Sequence, residues 1–302
     1  MKLVFMGTPD FAVASLNALV QAGFDVVGVV TAADKPAGRG QKLQESAVKQ
    51  YAVANGLKVL QPLKLKDPEF IEELKALNAD LQVVVAFRML PEMVWNMPAK
   101  GTINLHASLL PQYRGAAPIN HAIINGEKES GVTTFFLKHE IDTGDVIFSE
   151  KVSIADDDTA GDLHDKLMNV GAGLLVKTVQ AIEAGDYKEQ AQPQSDELKH
   201  APKIFKEHCL IDWNQPARAI YNQIRGLSPY PTAFTKLGDK TLKVFKAELE
   251  EEQPDIKIGA FLSDGKTYLK FAAKDGYIKF TDLQYEGKKR MQVDEFLRGM
   301  RL

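Results

Sequence analysis

The first 150 residues alternate short, Val-rich apolar runs with segments of helical periodicity. Runs such as Val26 to Val30 and Val83 to Ala86 contain no polar residue, which is typical of parallel strands that are covered on both faces. A sheet of such strands needs helices between them to bury its two faces. The pattern therefore predicts an α/β fold with a doubly wound, mostly parallel sheet, whose ligands bind beyond the carboxyl ends of the strands.

The composition changes after residue 184, where a long helical pattern that starts near residue 160 ends. Residues 185–203 are rich in Gln, Glu, Lys and Pro, which is typical of a linker. A helix follows, which we expect Asn214 to cap, and then short alternating segments separated by Gly- and Asp-containing turns predict a small β-barrel or sandwich. The predicted domains are residues 1–184 and 204–302, joined by the linker 185–203.

Composition excludes several classes of protein. Cys209 is the only cysteine, so neither an intrachain disulfide nor a thiolate metal cluster can form, and the six histidines show no ligand spacing that predicts a metal site. Apolar runs are too short for a membrane span, and the apolar start of the chain is too short for a signal peptide. We therefore expect a cytoplasmic protein without a membrane partner.

Charge is distributed unevenly along the chain. Residues 1–202 carry a formal charge of −7, whereas residues 203–302 carry +4. A basic segment on an acidic protein indicates a polyanionic partner only weakly, because a solvated surface of uneven charge explains it more simply.

The densest polar cluster follows the predicted strand over residues 102–105. Alternation along a strand places the side chains of Asn104 and His106 on the same side, at the carboxyl end where such sheets bind ligands. A lone Asn or His is more often structural, but the pair at this position favours a functional site. Asp142 lies in a Gly-bearing turn after a later strand. It is either an ordinary turn residue or, if the fold brings it to His106, a carboxylate that orients the imidazole.

Two motifs carry a resemblance to a known family. The segment Asn104-Leu105-His106-Ala107-Ser108-Leu109-Leu110-Pro111, followed by Ile141-Asp142-Thr143-Gly144, is similar to the folate-dependent formyltransferase family. Residues 7–12, 34–40, 113–119 and 211–213 extend the resemblance in the same order over nearly the whole chain. It implies a Rossmann-like catalytic domain, an OB-like barrel and transfer of a formyl group from 10-formyltetrahydrofolate to the α-amino group of methionyl-initiator tRNA.

The resemblance also implies roles for individual residues. Asn104 and His106 would donate hydrogen bonds to the oxyanion that forms during the transfer, and Asp142 would hold His106 and accept the proton of the amine. No covalent nucleophile is needed, because a fraction of an α-amine is already neutral at cytosolic pH. The residues expected to bind the folate are Phe87, Arg88, Met89, Leu90, Ser108, Leu109, Leu110, Pro111, Lys138, His139, Glu140 and Asp142.

The tRNA would contact both domains of a monomer. The segment from Asp34 to Leu43 is basic and Gly-rich, and we weigh equally an unstructured surface loop and an arm that orders on tRNA. Lysines that alternate along barrel strands are equally the outer face of any barrel, and the run from residue 288 to 290 is the best single candidate there. The residues expected to bind tRNA are Gly7, Thr8, Pro9, Lys35, Arg39, Lys42, Arg114, Lys288, Lys289 and Arg290.

Two other functions stay open from the sequence. The first is formyl transfer to a small amine such as glycinamide ribonucleotide or an amino sugar, since such enzymes share the Asn, His and Asp residues. The second is a catalytically silent RNA-binding protein on the same scaffold. The basic segment near residue 39 and the β-rich C-terminal region favour tRNA over a small amine, and the presence of all three catalytic residue types disfavours the silent protein.

Overall fold

A computed structural model describes residues 1–37, 42–193 and 197–299. The chain divides into two compact units. The first contains Met1–Gly115, Gly131–Val152 and His164–His200, and the second contains Ala116–Ser130, Ser153–Leu163 and Ala201–Leu302. Two segments that precede residue 184 thus belong to the second unit, so its parts are not contiguous in sequence. The domain limits near residues 184 and 203 stay predictions.

The first unit is built on a seven-stranded sheet with the order β10-β9-β7-β6-β1-β2-β5. Neighbouring strands from β5 to β7 run parallel, and β9 is antiparallel to β7. The prediction of a mostly parallel α/β sheet is confirmed. The strands are β1 (Lys2–Gly7), β2 (Asp25–Val30), β5 (Val59–Leu60), β6 (Leu81–Val85), β7 (Thr102–His106), β9 (Glu129–Phe136) and β10 (Val146–Ser153).

Helices alternate with these strands, as the apolar runs require. Side chains cap three of them: Ser46 Oγ accepts from the main-chain N–H of Lys49, Asp67 accepts from that of Glu69, and Thr159 Oγ1 accepts from that of Asp162. β1 passes into the first helix through Gly7, where a Cβ would lie 2.6 Å from Cβ of Ala12, so only glycine fits this close approach. The helices are α1 (Asp10–Gln21), α2 (Ala47–Ala54), α3 (Pro68–Ala76), α4 (Glu92–Trp95) and α6 (Ala160–Ala184).

Short strands lie at the two ends of the basic segment that follows β2. β3 (Lys35–Ala37) and β4 (Lys42–Gln44) pair antiparallel. Both ends of the segment therefore have regular structure, which its Gly-rich composition did not predict. Arg39 lies outside the described residues, and so does the side chain of Lys42.

The second unit contains an antiparallel sheet with the order β12-β13-β16-β15-β14, and β17 pairs with β16. Its core is partly aromatic: the Trp213 and Phe271 rings stack 4.9 Å apart, and Phe271 stacks on Phe280 at 5.0 Å. The sheet forms a half-barrel, consistent with the expected OB-like domain. The strands are β12 (Ala233–Leu237), β13 (Lys240–Glu250), β14 (Phe261–Ser263), β15 (Leu269–Ala272), β16 (Tyr277–Tyr285) and β17 (Met291–Gln292).

One local prediction in this unit is wrong. Asn214 does not cap the helix α7 (Ala217–Gly226), because it lies two residues before the N-cap position, Pro216; its amide donates to Asp212. The N–H of Ala217 donates to Oδ1 of Asp275 at 2.7 Å, so a carboxylate from the turn after β15 satisfies the helix start. The remaining elements are β8 (Arg114–Gly115), α5 (Pro118–Ile124), β11 (His200–Ala201), a 3₁₀ helix (Lys206–Cys209) and α8 (Val293–Arg298).

Two glycine substitutions test the packing of the first unit. A Cβ at Gly144 would lie 1.6 Å from the carbonyl oxygen of Phe136, whereas a Cβ at Gly173 within α6 would meet no atom within 4 Å. We expect Gly144→Ala to lower the free energy of unfolding by about 2 kcal/mol or more, since the main chain must move. Gly173→Ala should raise it by about 0.4–1 kcal/mol through a better helix propensity. Urea unfolding of both variants beside the wild type measures these changes, and equal stabilities would contradict the described close approach.

Candidate active site

The carboxyl-terminal end of β7 presents the two polar side chains that the sequence analysis selected. β7 lies between β6 and β9, and alternation along it places Asn104 and His106 on the same face. His106 is only 7% exposed and Asn104 is half-buried. Within the part of the chain that the structure describes, the Asn104 amide has no hydrogen-bond partner. Its donors and its acceptor are thus available to a ligand.

The main chain fixes the orientation of the His106 ring. Nε2 lies 2.9 Å from the carbonyl oxygen of Tyr113, and because a carbonyl can only accept, Nε2 carries a hydrogen and donates it. Nδ1 faces the other way, 3.8 Å from Oδ2 of Asp142. The structure therefore brings His106 and Asp142 together at a distance too long for a direct hydrogen bond. Nδ1 is thus the ring nitrogen that faces the Asp142 carboxylate.

Asp142 is held by its own turn and by the main chain of a neighbouring segment. Its φ of 56° lies in the left-handed region, and its Oδ2 accepts from the N–H of Gly115 at 3.0 Å. The side chain is 12% exposed. The carboxylate is thus fixed at the edge of the site rather than free in solvent.

Thr133 shapes the loop that follows β7. Its buried Oγ1 donates to the carbonyl of Ser108 at 2.7 Å and accepts from the N–H of Leu110 at 3.2 Å. Ser108 Oγ in turn donates to the carbonyl of Gln112 at 2.6 Å. Thr133 is not among the predicted site residues, because its position opposite His106 follows from the β7–β9 register, which no local pattern shows.

The loop after β6, which the resemblance predicts to bind the folate, makes side-chain contacts with other parts of the first unit. The Arg88 guanidinium donates to the carbonyls of Pro62 and Leu63 and lies 5.6 Å from the centre of the Phe87 ring. Burial lowers the pKa of this guanidinium. Met89, by contrast, is 73% exposed. The structure therefore gives Arg88 a bracing contact within the protein, while Met89 is open to a ligand.

The segment before Asp142 is exposed and held by local contacts. Lys138 Nζ donates to Asp145 at 2.7 Å. The His139 ring lies edge-on to Trp95, with 5.4 Å between ring centres, and its Nε2 is 3.5 Å from a carboxylate oxygen of Glu92. Glu140 contributes its carbonyl to the turn, where it accepts from Thr143. Of the other residues assigned to the folate, Leu109 packs its side chain towards Gly131, Leu110 and Pro111 are half-buried, and Leu90 is buried.

The residues that the resemblance assigns to tRNA differ in their accessibility in the first unit. Gly7 is buried, Thr8 is half-buried, and Pro9 and Lys35 are exposed. Arg114 donates through Nε and an Nη atom to Oε1 of Gln192, at 3.1 and 2.7 Å, so its guanidinium is engaged within the unit.

The run from Lys288 to Arg290 in the second unit contains two kinds of cation. Arg290 forms a forked ion pair with Asp282, whose side chain is 9% exposed, and its guanidinium lies 4.1 Å from the centre of the Phe245 ring. This pairing raises the pKa of Arg290. Lys288 and Lys289 are exposed, and within residues 197–299 their ammonium groups have no partner. The two lysines are thus the freer candidates for phosphate contacts.

Comparison with known proteins shows the family. The profile described as "Formyl transferase" matches residues 1–179, and that described as "Formyl transferase, C-terminal domain" matches residues 203–301. The chain belongs to the formyl transferase family. Two curated relatives named methionyl-tRNA formyltransferase cover 100% of this chain and 96% of their own length: one from Bacteroides fragilis is 55% identical over 310 residues, and one from Phocaeicola vulgatus is 58% identical over 311 residues.

Solved structures share the fold at low sequence identity. An N-formyltransferase from Helicobacter canadensis, in complex with folinic acid and dTDP-3-aminofucose, is 24% identical with a TM-score of 0.69, covering 96% of this chain and 100% of its own. HypX from Aquifex aeolicus, in complex with tetrahydrofolic acid, is 19% identical with a TM-score of 0.67, covering 98% of this chain and 47% of its own. These likenesses confirm the fold.

Substitutions in residues 288–290 test which of these cations stabilises the fold. Arg290→Ala leaves the carboxylate of Asp282 without its partner, so we expect the free energy of unfolding to fall by about 1–3 kcal/mol. Lys289→Ala removes an exposed charge and should stay within about 0.5 kcal/mol of the wild type. Thermal or urea unfolding of the two variants checks this, and an Arg290→Ala variant as stable as Lys289→Ala would contradict the structural role of the ion pair.

Proposed function

We propose that the chain transfers the formyl group of 10-formyltetrahydrofolate to the α-amino group of methionyl-initiator tRNA. One observation supports this chemistry: the Asn104 amide, which has no partner among the described residues, His106, which the main chain orients, and the Asp142 carboxylate lie together at one end of β7. The full-length similarity to relatives named methionyl-tRNA formyltransferase supports the choice of acceptor.

Each of the three side chains has a role that its position allows. The Asn104 amide donates to the formyl oxygen as negative charge develops there, and protonated Nδ1 of His106 donates to the same oxygen. Asp142 stabilises the positive imidazolium at 3.8 Å and accepts the proton that the attacking amine loses, directly or through water. The amine nitrogen bonds to the formyl carbon and gives a tetrahedral species with the negative charge on the formyl oxygen. When this species collapses, the bond between that carbon and the folate nitrogen breaks, and this nitrogen takes up a proton in place of the one that the amine lost.

The donor would bind between the loop after β6 and the segment before Asp142. The half-buried Phe87 ring, the exposed side chains of Met89 and Ile141 and the main chain of residues 138–140 suit a flat ring system that needs apolar contact and polar edges. Arg88 contributes by bracing the loop against residues 62 and 63.

The second unit would provide affinity for the tRNA backbone. Its OB-like sheet and its exposed Lys288 and Lys289 are suited to phosphate, and the net positive charge of residues 203–302 supports such a partner. Lys35, Arg39 and Lys42, in the segment between β2 and α2, stay candidates for the acceptor end of the tRNA.

Location and oligomeric state stay predictions. Among the helices that the structure describes, none combines the length and the apolar character needed to span a bilayer. We propose a cytoplasmic monomer, as the sequence analysis predicts.

Substitution of the two acid–base residues tests the catalytic assignment. We expect His106→Asn and Asp142→Asn each to lower kcat by about 10²–10³-fold, since each removes one charge that stabilises the reacting groups. The dissociation constant for tRNA should change less than about twofold. Formylation assays with methionyl-tRNA and a binding titration measure the two quantities, and an equal loss of binding would show that these residues are structural.

A comparison of acceptor amines tests the substrate. The wild-type protein should formylate methionyl-tRNA with a kcat/KM at least about 10³-fold above that for a free amino sugar nucleotide or glycinamide ribonucleotide, because only tRNA engages the second unit. Efficient use of a small amine alone would overturn the choice of tRNA. Absence of transfer from 10-formyltetrahydrofolate to any of these amines would favour the silent RNA-binding protein.

A further inference from the structure

Gln192 connects two segments that surround the Asp142 carboxylate. Its Nε2 donates to the carbonyl of Asp142 at 2.9 Å and to the carbonyl of Gly144 at 2.8 Å. Its Oε1 accepts from Arg114, which directly precedes the Gly115 N–H that binds Oδ2 of Asp142. Both ends of one amide are thus used, and every contact lies within the first unit.

These contacts fix the main chain on which the catalytic carboxylate is mounted. The left-handed φ of Asp142 is a conformation that Asp adopts more readily than most residues, and the hydrogen bonds around the turn decide whether it is kept. Two hydrogen bonds from one amide hold the carbonyls on either side of Thr143, and Arg114 ties the same amide to the segment that carries Gly115. Without them the turn can relax and displace the carboxylate from His106.

We propose that Gln192 is a positioning residue for the formyl transfer, which sets the distance between Asp142 and Nδ1 of His106. This inference rests on the proposed function. Gln192 lies in residues 185–203, the segment that the composition predicts to be a linker. Arg114, predicted to contact tRNA, also orients Gln192. A displacement of about 1 Å at a reacting group can cost up to about 10²-fold in rate.

Gln190 provides a matched control in the same segment. It pairs with Val146 only through main-chain hydrogen bonds, at 2.8 and 2.9 Å, and its exposed side chain has no partner in the described residues. Gln190→Met and Gln192→Met therefore make the same chemical change two residues apart, but only the second removes hydrogen bonds of the side chain.

The kinetic experiment compares Gln192→Met, Gln192→Glu and Gln190→Met with the wild type. We expect Gln192→Met to lower kcat by about 10- to 100-fold while both KM values change less than about threefold. Gln192→Glu keeps the volume and the pairing with Arg114 but replaces the two N–H donors by an oxygen that repels the carbonyls, so its kcat should fall at least as far. Gln192→Glu also tests the proposal if Gln192→Met does not fold. Gln190→Met should have wild-type kinetics.

A second readout does not depend on the identity of the acceptor. Hydrogen–deuterium exchange at the main-chain amides of residues 141–145 should be at least about tenfold faster in Gln192→Met than in Gln190→Met, at a temperature where both are folded. Wild-type kcat in Gln192→Glu, a loss confined to KM, or unchanged exchange would each overturn the inference. A wild-type protein that formylates no methionyl-tRNA, with exchange accelerated as expected, would instead overturn the proposed function and leave the positioning contact standing.

Discussion

The hydrogen bond from Nε2 of His106 to the carbonyl of Tyr113 is the contact on which the rest of the site depends. It assigns one ring nitrogen to the scaffold and leaves Nδ1 as the atom that faces Asp142. An imidazole bound in this way has a single orientation and a single ring nitrogen that a ligand can meet. The chemistry proposed for the site follows from that assignment, because only Nδ1 can donate to a developing oxyanion or exchange a proton.

Main-chain groups hold the remaining parts of the site. The Gly115 N–H binds the Asp142 carboxylate, Thr133 bridges two main-chain groups of the loop after β7, and Gln192 binds two carbonyls beside Asp142. Each of these hydrogen bonds satisfies a main-chain polar group that would otherwise have no partner in a partly buried loop. The same contacts that satisfy the loops therefore also place His106 and Asp142, the side chains that we propose to react.

Strands and helices with strong local signals were predictable. The bounds of α6 agree with the prediction, because its helical pattern is long. Local reasoning was wrong at the start of α7. We predicted that Asn214 caps this helix, but the free N–H of Ala217 donates to Asp275, a residue that is distant in sequence and close in space. Arg88 likewise donates to carbonyls 25 and 26 residues away, and no local pattern predicts these contacts.

The sequence by itself determined the doubly wound sheet, the β-rich C-terminal region and the strand whose end carries Asn104 and His106, since hydrophobic periodicity and side-chain alternation are local properties of the chain. Tertiary structure decided which partners these residues meet. The meeting of Asp142 with His106, the role of Thr133 and the bridging amide of Gln192 all depend on loops that are 25 to 50 residues apart in sequence and converge at one end of the sheet. Such contacts arise from the packing of whole elements, and no local pattern in the chain encodes their distances.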